Sequence, residues 1–175
     1  MENRSIFSQG LKTGLFAALA SIVMVLLAYV TGISMLGWTY QGINYIVLIA
    51  VMVWGLLAFR KANGGYMPFS QGFLIVLVAG LVCSLVGYFF NLFYYNVIDP
   101  GYIEKVVEYS KEAIEKMGVG LTNELEEQVR ANAEKSMRFS VMNLAFGLVG
   151  ALMVWSILGA ILGAIFSKKD PNAVI

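Results

Sequence analysis

Histidine is missing from all 175 residues, and cysteine occurs once, as Cys83. The first absence removes the side chain best suited to proton transfer near neutral pH and the commonest transition-metal ligand. The second excludes an intramolecular disulfide and a cysteine-based zinc site. Cys83 lies in an apolar run between Val82 and Ser84 and reads as a small core filler. Charge is also scarce: Lys and Arg number 12, Asp and Glu 11, for a net of +1. No basic excess is available to hold a phosphate backbone, so no nucleic-acid partner is expected. Most telling is where charge is missing, because residues 13–59, 62–98 and 139–167 contain no Asp, Glu, Lys or Arg.

What fills these stretches is apolar. Hydrophobic residues make up 59% of the chain, against roughly 45–50% in soluble domains. A bilayer core about 30 Å thick is crossed by a helix of about 20 apolar residues, so the first stretch holds two spans and each of the others holds one. The predicted spans cover about residues 11–31, 43–59, 69–96 and 139–166. Gly32, Ser34, Gly37 and Gln41 mark an uncharged turn between the first two. Asn63, Gly64 and Gly65 suit a tight hairpin through positive φ, and Pro68 suits the first turn of the third span. The apolar part of span one, about residues 14–30, exceeds the 7–15 residues of a secretory signal core, so retention as a span is expected.

Orientation follows from the basic residues, which are held on the cytoplasmic side during insertion. Arg4 and Lys12 precede span one, Arg60 and Lys61 separate spans two and three, and Lys168 and Lys169 follow span four. All six fall on one side. The other side carries the uncharged first loop and residues 99–138, where nine acidic residues face six basic ones. Both termini are therefore expected in the cytoplasm, with residues 97–138 external. Tyr29, Trp38, Tyr40, Tyr94, Tyr95 and Tyr102 agree, since amphipathic rings favour the interface.

The external segment reads as two helices. Asp99 and Pro100 have the form of a helix start, in which the carboxylate caps free amides. Ile103, Val106, Val107, Ser110, Ile114 and Met117 then recur at helical spacing. Gly118-Val119-Gly120 breaks the pattern, Thr122 or Asn123 can cap a second helix, and Leu125, Val129, Ala133 and Met137 form its apolar stripe. Glu104 with Glu108 and Lys111, and Glu112 with Lys116, read as charges along the solvated face of one helix. The net acidity weighs against a helix lying on lipid. The carboxylates include no Asp-rich calcium loop, so no metal, cofactor or catalytic residue is assigned.

The fold class expected is all-α: an integral membrane four-helix bundle with an external amphipathic helical hairpin. Its regions are residues 1–96 with three spans, the charged segment 97–138, and residues 139–175 with the fourth span and a cytoplasmic tail. Small residues recur along span four at Gly147, Ala151, Gly159 and Gly163, letting helices approach closely where no hydrophobic force drives them together. The leading functional expectation is a non-enzymatic assembly or accessory subunit. Its partners are the bilayer and either a second copy or another membrane protein, met through Val107, Ile114, Leu125, Val129, Gly159 and Gly163. The alternative is a small oligomeric channel or facilitator lined by Ser84, Tyr88, Asn91 and Asn143. Ion coupling is not expected, because no titratable group lies at mid-span.

The block Phe59-Arg60-Lys61-Ala62-Asn63-Gly64-Gly65-Tyr66-Met67-Pro68-Phe69-Ser70-Gln71-Gly72-Phe73 resembles the domain of unknown function 4199 family. So do Asn91-Leu92-Phe93-Tyr94-Tyr95 and Ile98-Asp99-Pro100. The family comprises small membrane proteins found mainly in Bacteroidota, and the resemblance covers nearly the whole chain. It implies a bacterial inner-membrane location and four spans with a charged helical segment between the third and fourth. It implies no reaction and transfers no functional residue.

Overall fold

The computed structural model describes residues 5–116 and 122–168. Arg4, Met117, the Gly118-Val119-Gly120 break and Lys169 lie outside the described residues. The order is α1 (Ile6–Thr31), α2 (Trp38–Ala62), α3 (Phe69–Phe93), a π-helical turn (Tyr94–Ile98), α4 (Tyr102–Lys116), α5 (Asn123–Met137) and α6 (Val141–Phe166). Among the described residues four helices are long and apolar enough to cross a membrane: Ile6–Thr31, Trp38–Ala62, Phe69–Ile98 and Val141–Phe166. Among the described residues the only extended pairing is one isolated bridge, Met67 with Lys168.

The helix ends follow local chemistry more than hydropathy. Ser5 caps α1 by accepting a bond from the Ser8 amide at 3.2 Å, so the helix begins five residues before the apolar run suggests. Gly32, at φ +69°, ends it, a conformation glycine adopts without steric cost. Gln41 belongs to the first turn of α2, not to the loop, and its side-chain Nε2 donates to the Met35 carbonyl at 2.9 Å. Gly64 and Gly65 carry positive φ, as expected, whereas Asn63 does not. Pro68 sits one place before α3, its carbonyl accepting from the Gln71 and Gly72 amides.

The chain divides into two compact units, residues 1–87 with 146–175 and residues 88–145. In the first, close contacts fix the sense of each helix. Gly10 meets Ile75 and Val78, and Gly14 meets Ala79 and Val82, so α1 and α3 run parallel. Gln9 donates to the Gly55 carbonyl at 3.0 Å and Ser21 to Asn44 at 3.2 Å, so α2 runs against α1. Gly159 and Gly163 press on Phe73 while Trp155 donates to Ser84 at 3.0 Å, so α6 runs against α3. Alternating directions are what successive crossings of one bilayer require. Leu56, Ile75, Val76 and Ala79 are fully buried among these helices. Yet only 22–28% of each span's apolar window is buried by the chain itself, which leaves long apolar faces suited to hydrocarbon.

Three links gather the ends of this unit. Gln9 reaches the last two turns of α2, Arg60 donates to the Phe166 carbonyl at 3.5 Å, and Met67 exchanges backbone bonds with Lys168 at 2.9 and 2.8 Å. Lys12, Arg60, Lys61 and Lys168 thereby collect at one end.

Candidate functional site

The second unit, residues 88–145, carries most of the described charge. It opens where α3 widens into the π-turn: the Asp99 amide bonds the Tyr94 carbonyl at 2.9 Å, one residue wider than an α-turn. The added residue brings Asp99 into a ring of tyrosines. Tyr95 stacks on Tyr102 with centroids 5.0 Å apart, and Tyr94 meets both edge-on. Asp99 is buried there, accepting from the Tyr94 hydroxyl at 3.2 Å and from Lys105 Nζ at 2.5 Å. The side chain expected to cap α4 is instead the acceptor of a joint, while its backbone carbonyl takes the Tyr102 amide. A buried carboxylate demands such partners, because desolvation without them is costly. The cation six residues downstream was the available signal in the sequence; the π-turn that places the two together had none.

Entry and exit of this unit are tied. The Tyr88 hydroxyl donates to the Ser140 carbonyl at 3.2 Å and accepts the Ser140 amide at 3.3 Å, beside a ring contact with Phe139. Asn143 donates to the Lys135 carbonyl at 2.8 Å. Between these ends α4 and α5 run antiparallel. Of the two caps the sequence offers, Thr122 and Asn123, it is Thr122 that caps α5, accepting from the Leu125 amide.

The charges cross between the helices. Arg130 grips Glu104 with two bonds of 2.8 and 2.6 Å, and Lys111 meets Glu126 at 2.7 Å. Glu104, read from spacing as a charge on the solvated face of α4, is held by α5 instead, while Glu112 with Lys116, at 3.6 Å, pairs within α4 as read. The Arg130 hydrogen bond, then the Arg130 and Lys111 charges, hold the Glu104 carboxyl below its ordinary value. Hydrogen bonds to Glu126 and Glu104 raise Lys111 and Arg130 respectively. The planar guanidinium fork suits such a two-point grip, which a lysine cannot make.

The apolar stripe runs beside these ionic rungs and past the Lys111–Glu126 pair. Val107 is 3% exposed, and Ile114, Leu125 and Val129 are half-buried. Gly159 and Gly163 lie against α3, where a Cβ on Gly163 would come within 3.0 Å of the Phe73 amide nitrogen. The four residues of the channel alternative have separate surroundings. Ser84 is bonded to Trp155, Tyr88 to Ser140 and Asn143 to Lys135, while Asn91 is exposed. Among the described residues, no three His, Cys, Asp or Glu side chains converge as metal ligands.

No curated protein and no solved structure shows significant similarity to the chain. Four apolar membrane-crossing helices make it a multi-pass membrane protein, and residues 12–168 match the model described as "Protein of unknown function (DUF4199)". The chain belongs to that family.

Proposed function

We propose that this is a non-enzymatic accessory or assembly subunit of the bacterial inner membrane. In this reading α1, α2, α3 and α6 form a four-helix bundle with both termini cytoplasmic, and residues 97–138 stand outside as a docking hairpin. The observation that carries it is the bracing of α4 on α5 by Glu104–Arg130 and Lys111–Glu126, over a unit closed at its base by Tyr88 and Ser140. A braced hairpin loses little freedom on binding, which favours recognition over chemistry. Its apolar stripe faces inward, so the surface offered to a partner is the acidic outer face with Glu108 and Glu115, both exposed. A partner with a basic surface fits it. The collected Lys12, Arg60, Lys61 and Lys168 support a cytoplasmic assignment for that end.

The test is gentle extraction from native membranes followed by native mass analysis of co-purifying chains. A hetero-complex lost on Glu108→Lys with Glu115→Lys supports docking; a chain that emerges alone, and cross-links to nothing in the intact membrane, ends the reading. Orientation is checked separately. Asn132→Cys is expected to react with an impermeant maleimide on intact cells, and Asn63→Cys is not. The channel alternative has less support, since three of its four lining residues are engaged in intrachain bonds. Flux through liposomes above the empty-vesicle rate would revive it.

A further inference from the structure

A groove of about 740 Å³ runs between α1 and α2, lined by Phe16, Leu19, Val23, Val47, Ala50 and Trp54 among others, all apolar. We propose that it binds one acyl chain of an anionic phospholipid whose headgroup phosphate is held by Lys12 and Lys61. On the α1 side the groove extends from Phe16 to Met24, roughly 12 Å by helical rise. That is close to one leaflet of a hydrocarbon core about 30 Å thick. Its length suits one lipid tail and falls well short of a crossing helix.

The charge at its mouth selects the headgroup. Lys12 lies one turn before Phe16, and Lys61 two turns after Trp54, so each continues the face of its helix that lines the groove. Both are exposed, and among the described residues neither belongs to an ion pair. Their long stems can lie along the apolar wall while the ammonium groups stay at the headgroup level. Phe16 and Trp54 meet edge to face at 5.5 Å, joining the two helices at the end of the groove nearest the lysines. Two cations above a tail-sized apolar slot complement a phosphate diester with net negative charge. The inference needs the spans to cross a bilayer; it does not depend on the docking reading.

The experiment is native mass spectrometry of the full chain released from nanodiscs holding phosphatidylglycerol and phosphatidylethanolamine with identical tails. Retention of phosphatidylglycerol is expected to exceed that of phosphatidylethanolamine by roughly thirtyfold, the benefit of two lysines near an anionic lipid. Lys12→Gln with Lys61→Gln, both at exposed sites, should erase the preference. Ala50→Phe, which fills the groove, should remove both lipids. Equal retention by the wild-type chain overturns the proposal, as does a preference surviving the double substitution. So does a second copy of the chain, rather than lipid, being displaced by Ala50→Phe.

Discussion

The two units hold themselves together by opposite means. Among the spans, the closest helix approaches are made at glycines: Gly10 and Gly14 on α3, Gly55 on Thr13, Gly80 under Trp155, and Gly163 against Gly72. In residues 88–145, helices touch through large apolar residues bracketed by ion pairs. The difference follows the distribution of charge, which is absent from residues 62–98 and 139–167 and dense in residues 99–138. Hydrocarbon provides no hydrophobic drive between helices, so only close contact and rare polar bonds hold them. Residues 88–145 carry most of the charges, and ion pairs crossing between α4 and α5 set the register of that pair. The comparison also explains why α4 and α5 are strongly amphipathic, whereas the spans are apolar nearly all round.

The largest effect separates tight glycines from open ones. A Cβ on Gly14 would sit 2.5 Å from the Ala79 carbonyl oxygen, and one on Gly80 would overlap the Trp155 ring. Backbone cannot give way as a flexible side chain can. Gly14→Val is therefore expected to destabilise the span unit by about 3 kcal/mol, the upper part of the usual overpacking range. Gly147 has nothing within 4 Å of its missing Cβ, so Gly147→Ala should remain within about 0.5 kcal/mol of wild type. Unfolding by denaturant in mixed micelles, followed by circular dichroism, measures both. Equal sensitivity at the two sites would break the distinction.

Next come single polar bonds, one from each unit. Thr122→Ala removes the cap of α5 and should cost about 1 kcal/mol of hairpin stability, read as faster amide exchange in residues 123–137. Ser84→Ala leaves the buried Trp155 N–H without its oxygen. Polar bonds between spans average about 0.6 kcal/mol, and a loss of that order is expected from the same micelle unfolding. A larger loss at Ser84 than at Thr122 would mean that polar bonds hold the spans more strongly than close packing suggests.

The spans were legible because an uncharged run is a strong, additive signal. Their ends were less so: Ser5 and Gly37 as caps extend α1 and α2 past the apolar boundaries, and hydropathy does not register a cap. Small residues announced close approach, but which helix each would meet depended on the pairing of whole spans. The apolar stripes of α4 and α5 could be read from spacing alone, and the cap of α5 could be narrowed to Thr122 or Asn123. The ionic rungs could not be read, since Glu104 and Arg130 are far apart in sequence and each has nearer charges of opposite sign. Asp99 misled for a related reason. Asp before Pro has the chemistry of a cap, and only the π-turn redirects its side chain towards Tyr94 and Lys105.

The smallest expected effect tests whether charge sets only the hairpin. Glu104 titrates below the ordinary carboxylate value of 4.5, chiefly through its Arg130 bond. A depressed acid stabilises above its unfolded value, and this contribution disappears as pH falls through the lower folded one. Lys111 is raised above 10.5 by Glu126, so its contribution is present below 10.5 and fades as pH climbs through the folded value. Hairpin protection should be flat between those limits, fall in stronger acid or base, and weaken with added salt because the pairs are exposed. Glu104→Arg alone should loosen the hairpin, and Glu104→Arg with Arg130→Glu should restore part of the protection. The spans, with no ionisable Asp, Glu, Lys or Arg in residues 62–98 or 139–167, should show neither response in amide exchange over the same series. If α3 and α6 loosen along with the hairpin, the two units share one cooperative unfolding step, and the contrast between their packing does not extend to their stability.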